Sequence, residues 1–197
     1  MKPFLLFLVS FFLVGCSEAK YFTTVIIDPG HGGTDPGAYR IGIREADLNL
    51  KVAMKLRSEL RSRGIKVIMT RMSNRTVSIS SRYRLARKYP NALFVSIHFN
   101  AAYNISAHGT ETYGYTLEDR KLARQVQSRL HRNLKTRDRG VKTYPYDVLR
   151  HSPNTSILVE LGFMSNSREL KRCRTSWFHT TAARSIADGL MAYRRLR

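Results

Sequence analysis

Four short runs of aliphatic and β-branched residues, Thr24–Asp28, Lys66–Thr70, Ala92–Ile97 and Ile157–Val159, are separated by longer amphipathic stretches. That alternation constrains the fold more than any other feature of the chain. A run that is apolar on both of its faces belongs in a strand covered on both sides. The stretches between are helical. Leu48, Val52, Leu56 and Leu60 recur every four residues from Asp47 to Arg63, and Gly64 supplies the stop. Ile79 to Tyr89 reads as a short helix closed by Pro90. In Glu118 to Leu134 the residues Leu122, Val126 and Leu130 mark an apolar face. Asn166 with Glu169 reads as a helix start, and Trp177 to Leu196 as a final helix with Ile186, Leu190 and Tyr193 facing inward. Thr110 to Tyr115 alternates and reads as a strand nearer an edge. Strands and helices that alternate with short connections predict an α/β fold: a twisted, mostly parallel sheet flanked by helices on both faces.

The chain has 197 residues, enough for one domain with a full core. No repeat, low-complexity segment or second domain is visible, so residues 22–197 are expected to form the single domain. The first residues read differently. Lys2 precedes the apolar run Phe4–Val14, about eleven residues, where a membrane span needs ~20. It fits a secretory signal over residues 1–15. Leu13-Val-Gly-Cys16 resembles a lipobox, which implies lipidation of Cys16. Ser17 in place of Asp then favours the periplasmic face of the outer membrane. With Cys16 acylated, Cys173 has no partner for a disulfide and is expected to be a passive thiol.

Lys and Arg number 34 against 14 Asp and Glu, a net charge of +20. Such a surface attracts polyanions, so an anionic polymer or lipid surface is an expected partner. Nucleic acid is not expected, because the chain is exported and shows no interleaving of aromatic and basic residues for base stacking.

Three of the strand runs end in side chains suited to metal or acid/base chemistry: Asp28-Pro-Gly-His31, Ser96-Ile-His98-Phe-Asn100 and Leu158-Val-Glu160. In open α/β sheets ligands bind beyond the carboxyl ends of the strands, so His31, His98 and Glu160 are expected to meet in one crevice. Glu45 begins the first long helix, close to the loop of His31. Two imidazoles and one carboxylate suit Zn²⁺ with a position left open for water, and a further carboxylate remains as general base. Gly30, Gly32 and Gly33 permit a tight backbone path around His31. His108, His131, His151 and His179 lack such settings and read as surface or structural.

The text from Ile27-Asp-Pro-Gly-His-Gly-Gly-Thr-Asp-Pro-Gly-Ala38 through Arg44-Glu-Ala-Asp-Leu-Asn49, Thr70-Arg71, Phe94-Val-Ser-Ile-His-Phe-Asn-Ala101, Gly109-Thr-Glu111, Arg139-Gly-Val-Lys142, Val148-Leu-Arg150 and Leu158-Val-Glu-Leu-Gly-Phe-Met-Ser-Asn166 resembles the zinc-dependent N-acetylmuramoyl-L-alanine amidases of cell division and sporulation. The resemblance implies that His31, Glu45 and His98 ligate zinc and that Glu160 is the catalytic acid/base. It implies peptidoglycan as substrate, acting on the amide between muramic acid and L-alanine, in a monomeric enzyme. Asn100, Glu111 and Arg150 are candidate substrate contacts. The chain departs from the family at Ala46, where a Lys is usual, and the ligand Glu45 beside it is kept. Residues 101–115 and 116–141 leave no space for the long inhibitory helix of some division amidases, so an open site is expected, with no appended wall-binding domain. Two other readings compete: a zinc peptidase acting within stem peptides, and a non-catalytic basic module that binds wall polymer or nucleic acid.

Overall fold

The computed structural model describes residues 22–196; the expected signal segment and Cys16 lie outside the described residues. Strand β1 (Thr24–Pro29) is followed by a small hairpin, β2 (Tyr39–Arg40) and β3 (Ile43–Arg44). Then come α1 (Glu45–Ser62), β4 (Lys66–Met69), α2 (Ile79–Arg87), β5 (Leu93–Asn100), β6 (Thr110–Tyr113), α3 (Leu117–Leu134) and β7 (Asp138–Lys142). The chain ends with α4 (Asp147–Arg150), β8 (Ser156–Phe163), α5 (Ser167–Cys173) and α6 (Ser176–Arg194). The main sheet has the order β4-β1-β5-β8-β6-β7. Its first four strands are mutually parallel, β6 runs antiparallel to β8, and β7 is parallel to β6. The α/β architecture with a mostly parallel sheet is therefore as the alternation predicts.

Period-two alternation sorts each strand's side chains onto two faces. Val25, Ile27, Val95, Ile97, Ile157 and Val159 pack with Leu48, Val52, Leu56 and Leu60 of α1, Leu122, Val126 and Leu130 of α3, and Phe178, Ile186 and Leu190 of α6. The opposite face is more thinly covered. Ile26, Phe94 and Leu158 meet only Leu85 and Ala86 of α2, Val148 and Leu149 of α4, and a few neighbours. Helices thus lie on both faces, but the thin layer of α2 and α4 leaves room for a cleft. Among the described residues no helix is long and apolar enough to cross a membrane.

Local signals explain the element ends. Thr116 and Asp119 form a reciprocal capping box at the start of α3. Asn166 accepts hydrogen bonds from the backbone of Arg168 and Glu169 and so opens α5. Gly64 stops α1 at φ 75°. Strand β6 lies next to the edge, as its alternation predicts, and is fully buried because β7 pairs outside it. Two features depart from the sequence reading. Strand β7, Asp138-Arg-Gly-Val-Lys142, shows no apolar alternation, and its register shifts around Gly140, which has φ 79°. The second departure is β5, which runs on past Ile97 to Asn100, carrying His98 within the strand.

Helices α3 and α6 touch where Gly189 faces Val126. A Cβ at Gly189 would lie 2.6 Å from the Val126 Cα, so an added methyl must push backbone away. Gly189→Ala therefore loses about 1–3 kcal/mol to overpacking, against a helix-propensity gain of at most ~1; thermal unfolding will show a net loss. Leu56→Ala, at a fully buried position of α1, opens a cavity and costs about 2–5 kcal/mol.

Candidate active site

The cleft opens over the thinly covered face, toward the carboxyl ends of β1, β5 and β8, with a volume of about 580 Å³. The sheet register explains its lining. Asp28 pairs with Ser96, His98 with Glu160, and Glu160 with Glu111. All five side chains therefore project from the same face, polar groups following the apolar Ile26, Phe94 and Leu158 as each strand nears its end. His31 comes from the loop after β1 and Glu45 from the first residue of α1. His31, Glu45, His98 and Glu160, four residues from distant segments, all line the cleft.

Ligand-capable atoms of His31, Glu45 and His98 lie within 4.8 Å of one another. Glu45 is the hub. Its Oε1 accepts hydrogen bonds from His98 Nδ1 (2.9 Å), the Phe99 backbone N–H (3.1 Å) and Asn49 Nδ2 (3.2 Å). Its Oε2 accepts from the Ala38 backbone N–H at 2.9 Å and faces His31 Nε2 at 3.2 Å. Burial raises the Glu45 carboxyl's pKa, but the bonds and charges of His31 and His98 outweigh it and hold this group far below the usual range. Burial pulls the His31 imidazole down, and the carboxylates of Glu45 and Asp35 more than compensate, so it ends raised. Asp35 accepts a hydrogen bond from His31 Nδ1 at 2.7 Å, which fixes the ring with Nε2 turned toward Glu45.

Close approach makes the glycines of this loop necessary. A Cβ on Gly30 would stand 2.2 Å from the His98 ring, and one on Gly37, at φ 66°, would stand 2.5 Å from Glu45 Oε2. His31 itself holds φ 60°.

Glu160 has the opposite environment. It is buried, and its Oε2 has no hydrogen-bond partner among the described residues. Burial first, then the charges of Glu45 and Glu111, push its pKa well up. Two carboxyls whose surroundings drive them apart are the usual mark of a division of labour between a fixed charge and a proton carrier.

The remaining candidates fall in different places. Asn100 lines the cleft and donates to Glu111 at 2.8 Å. Glu111 is buried and its oxygens are taken up by Arg139 Nε (2.6 Å), Lys142 Nζ (2.6 Å), the Tyr113 hydroxyl (2.7 Å) and Asn100. Arg150 is exposed on α4 and is not among the described residues that line the cleft. His108 and His151 are exposed, His131 is half-buried, and His179 is buried against the Cys173 carbonyl. Cys173 is buried, and burial pushes its thiol far up. Sequence reasoning did not single out Asp35, Asn49, Arg82 or Tyr146. Asp35, four residues from His31 in a glycine frame, carried a local signal; the buried Arg82 carried none.

Glu111 supplies a pH-dependent contribution. Burial alone would raise its pKa, but its bonds to Lys142, Arg139 and Tyr113 lower it beneath the ordinary 4.5. A carboxyl depressed in the folded state adds stability above its unfolded value and loses it as pH falls through the folded value. Glu111→Gln will therefore be less stable than wild type at neutral pH, and denaturant titrations will show the gap closing as acid is added below pH 4.5.

Residues 25–192 match the N-acetylmuramoyl-L-alanine amidase family. The chain is 36% identical to the N-acetylmuramoyl-L-alanine amidase LytC of Bacillus subtilis (strain 168) over 176 residues, covering 87% of this chain and 36% of LytC, so it spans about a third of that relative's length. Among solved structures it is similar to the N-acetylmuramoyl-L-alanine amidase of Clostridium difficile 630, with a TM-score of 0.84, 34% identity, and 88% and 97% of the two chains covered. It is also similar to the catalytic domain of the amidase CwlV from Bacillus (Paenibacillus) polymyxa var. colistinus, with a TM-score of 0.85, 29% identity, and 89% and 100% covered. With a family match over nearly all of the described residues and the same architecture in experimentally determined relatives, this chain belongs to the N-acetylmuramoyl-L-alanine amidase family.

Proposed function

We propose that this chain hydrolyses the amide bond between N-acetylmuramic acid and the L-alanine of the peptidoglycan stem peptide, with Zn²⁺ held by His31, Glu45 and His98 and with Glu160 as acid/base. The observation that carries the reading is the unpartnered, buried Glu160 oxygen, one strand away from His98 and beside a cluster of three ligand-capable groups. The donor set fits the ion: two imidazoles and one carboxylate, with ligand-capable atoms within 4.8 Å of one another, are the kind of set that holds zinc and leaves a position for water.

Zinc bound there supplies a Lewis acid that makes water nucleophilic near neutral pH and polarises a carbonyl. The protein's own residues do the rest. Glu45, kept ionised by its donors, contributes a fixed negative charge. Asp35 holds the His31 ring and its tautomer. Glu160 receives the proton of the attacking water on its free oxygen and passes it to the leaving L-alanine nitrogen. Val77, Ile79, Val148 and Leu158 give the cleft apolar walls, which strengthen electrostatic interactions by excluding water. The β5–β6 connection, residues 101–109, is a loop, and α3 packs on the far side of the sheet; neither of these segments covers the cleft among the described residues, which supports an open site.

The same reading places the enzyme outside the cytoplasm at the cell wall. Its finer form is a monomeric lipoprotein, anchored through Cys16 to the outer membrane at the periplasmic face, whose basic surface engages anionic polymer or lipid. Globomycin-sensitive processing and loss of membrane association in Cys16→Ala test the anchor.

Mass spectrometry of digested peptidoglycan tests the reaction. Stem peptides with free L-alanine amino ends are expected, lost on chelation and restored by zinc. Glu160→Gln should keep zinc and lose at least about 10²–10⁴-fold in rate, while His98→Ala loses zinc. New ends within the stem peptide would instead identify a peptidase. A protein that binds no zinc and releases nothing would be a binding module.

A further inference from the structure

Two arginines converge on the loop that carries His31, and both are almost wholly buried, Arg71 at 1% and Arg82 at 5% exposure. Neither makes its bonds mainly to carboxylates. Arg71 donates from Nε to the Pro29 carbonyl (2.9 Å), from Nη2 to the Gly30 (2.9 Å) and Ala46 (2.8 Å) carbonyls, and from Nη1 to the Ser73 carbonyl (3.1 Å). Arg82 donates from Nη1 to Asp28 Oδ1 (2.6 Å) and the Pro29 carbonyl (2.8 Å), from Nη2 to the His31 carbonyl (2.9 Å), and from Nε to the Val77 carbonyl (3.2 Å). The carbonyls of three successive residues, Pro29, Gly30 and His31, are therefore all gripped by guanidinium groups.

Two of these bonds bear directly on spacing. Arg71 Nη2 bridges Gly30, next to His31, and Ala46, next to Glu45. One planar group thus ties the β1 loop to the first turn of α1. Arg82 Nη2 holds the carbonyl of His31, whose φ of 60° is a conformation that a residue with a side chain seldom adopts unless its surroundings impose it. Electrostatics sharpens the point. Two buried guanidiniums beside a site for a divalent cation repel that cation, and Asp28, with Thr70 and Ser96 donating to it, compensates only part of that charge. A neutral residue would avoid the repulsion. Only a guanidinium offers several fixed donors in one plane; a lysine ammonium has three donors on one nitrogen and cannot reach all four carbonyls that Arg71 holds.

We propose that Arg71 and Arg82 are positioning residues that clamp the backbone of the His31 loop to α1 and to β1, and so set the separation of the metal ligands. The proposal rests on the reading of His31, Glu45 and His98 as zinc ligands. Its reach is affinity and catalytic rate: the hydrogen bonds of both guanidiniums go to the protein's own carbonyls and to Asp28, and Arg82, which also lines the cleft, spends its donors there.

The test is zinc affinity by competition with a chromophoric chelator, measured on wild type, Arg71→Lys, Arg82→Lys and Leu56→Ala, together with the melting temperature of each metal-free protein. The lysine variants should bind zinc about 10–100-fold more weakly, the range for partners that orient metal ligands. At saturating zinc their kcat should fall with KM near the wild-type value. Leu56→Ala loosens the same helix away from the ligands and should lose melting temperature while keeping wild-type zinc affinity. Folded lysine variants with wild-type affinity would overturn the proposal. So would Leu56→Ala losing zinc to the same degree, or failure of both lysine variants to fold, since each assigns the arginines to general stability. Absence of zinc binding by wild type would instead remove the ligand reading, and this inference with it.

Discussion

The Glu45 carboxylate is the interaction on which the rest of this structure depends. It is buried, it can only accept hydrogen bonds, and it receives them from a loop, its own helix and β5 at once. A buried carboxylate without such donors is expensive enough to take up a proton instead. Each donor therefore stabilises the ionised form and, in the same act, fixes where α1 begins against β5. The helix N-terminus adds to this, since its unpaired N–H groups and dipole favour negative charge there. Folding and site assembly are in this sense one event.

The second carboxylate, Glu160, shows what happens without donors. It sits one strand from His98 in the same register, yet its Oε2 has no partner among the described residues and its acidity is suppressed. A chain selected only for stability would place an apolar residue there, as it does at Leu158 two residues earlier on the same face. The contrast between a fully satisfied and an unsatisfied carboxyl in one cleft is the clearest chemical signature in the molecule. Such a pair separates a permanent charge from a mobile proton.

Around this centre the polar layer grades into structure. Asp28, Thr70, Ser96 and Arg82 form a closed buried network, and Glu111 with Arg139, Lys142, Tyr113 and Asn100 forms another. Both lie on the same sheet face as the cleft, flanking it on either side. Because the buried carboxylates of Asp28 and Glu111 each accept from several donors, these networks brace the strand ends. The sparse cover of α2 and α4 over this face is what keeps the centre reachable.

The sequence by itself determined the strand and helix alternation, because the apolar periods of two and of about four are local and can be counted. It also determined that His31, His98 and Glu160 would lie toward the carboxyl ends of their strands, since each follows a β-branched run, although β5 and β8 continue past His98 and Glu160 to Asn100 and Phe163. The glycines around His31 were legible for the same reason: no other residue tolerates such close approach. Tertiary structure alone decided the rest. Strand β7 has no apolar pattern, and it exists because β6 offers it a paired edge. Glu111 was ambiguous in sequence, and only the arrival of Arg139 and Lys142 from that strand makes it an internal ion cluster. Arg82 looks like any helix-surface arginine until β1 supplies the carbonyls it grips. Contacts between residues dozens of positions apart leave no periodic trace, so they become visible only when the chain has closed on itself.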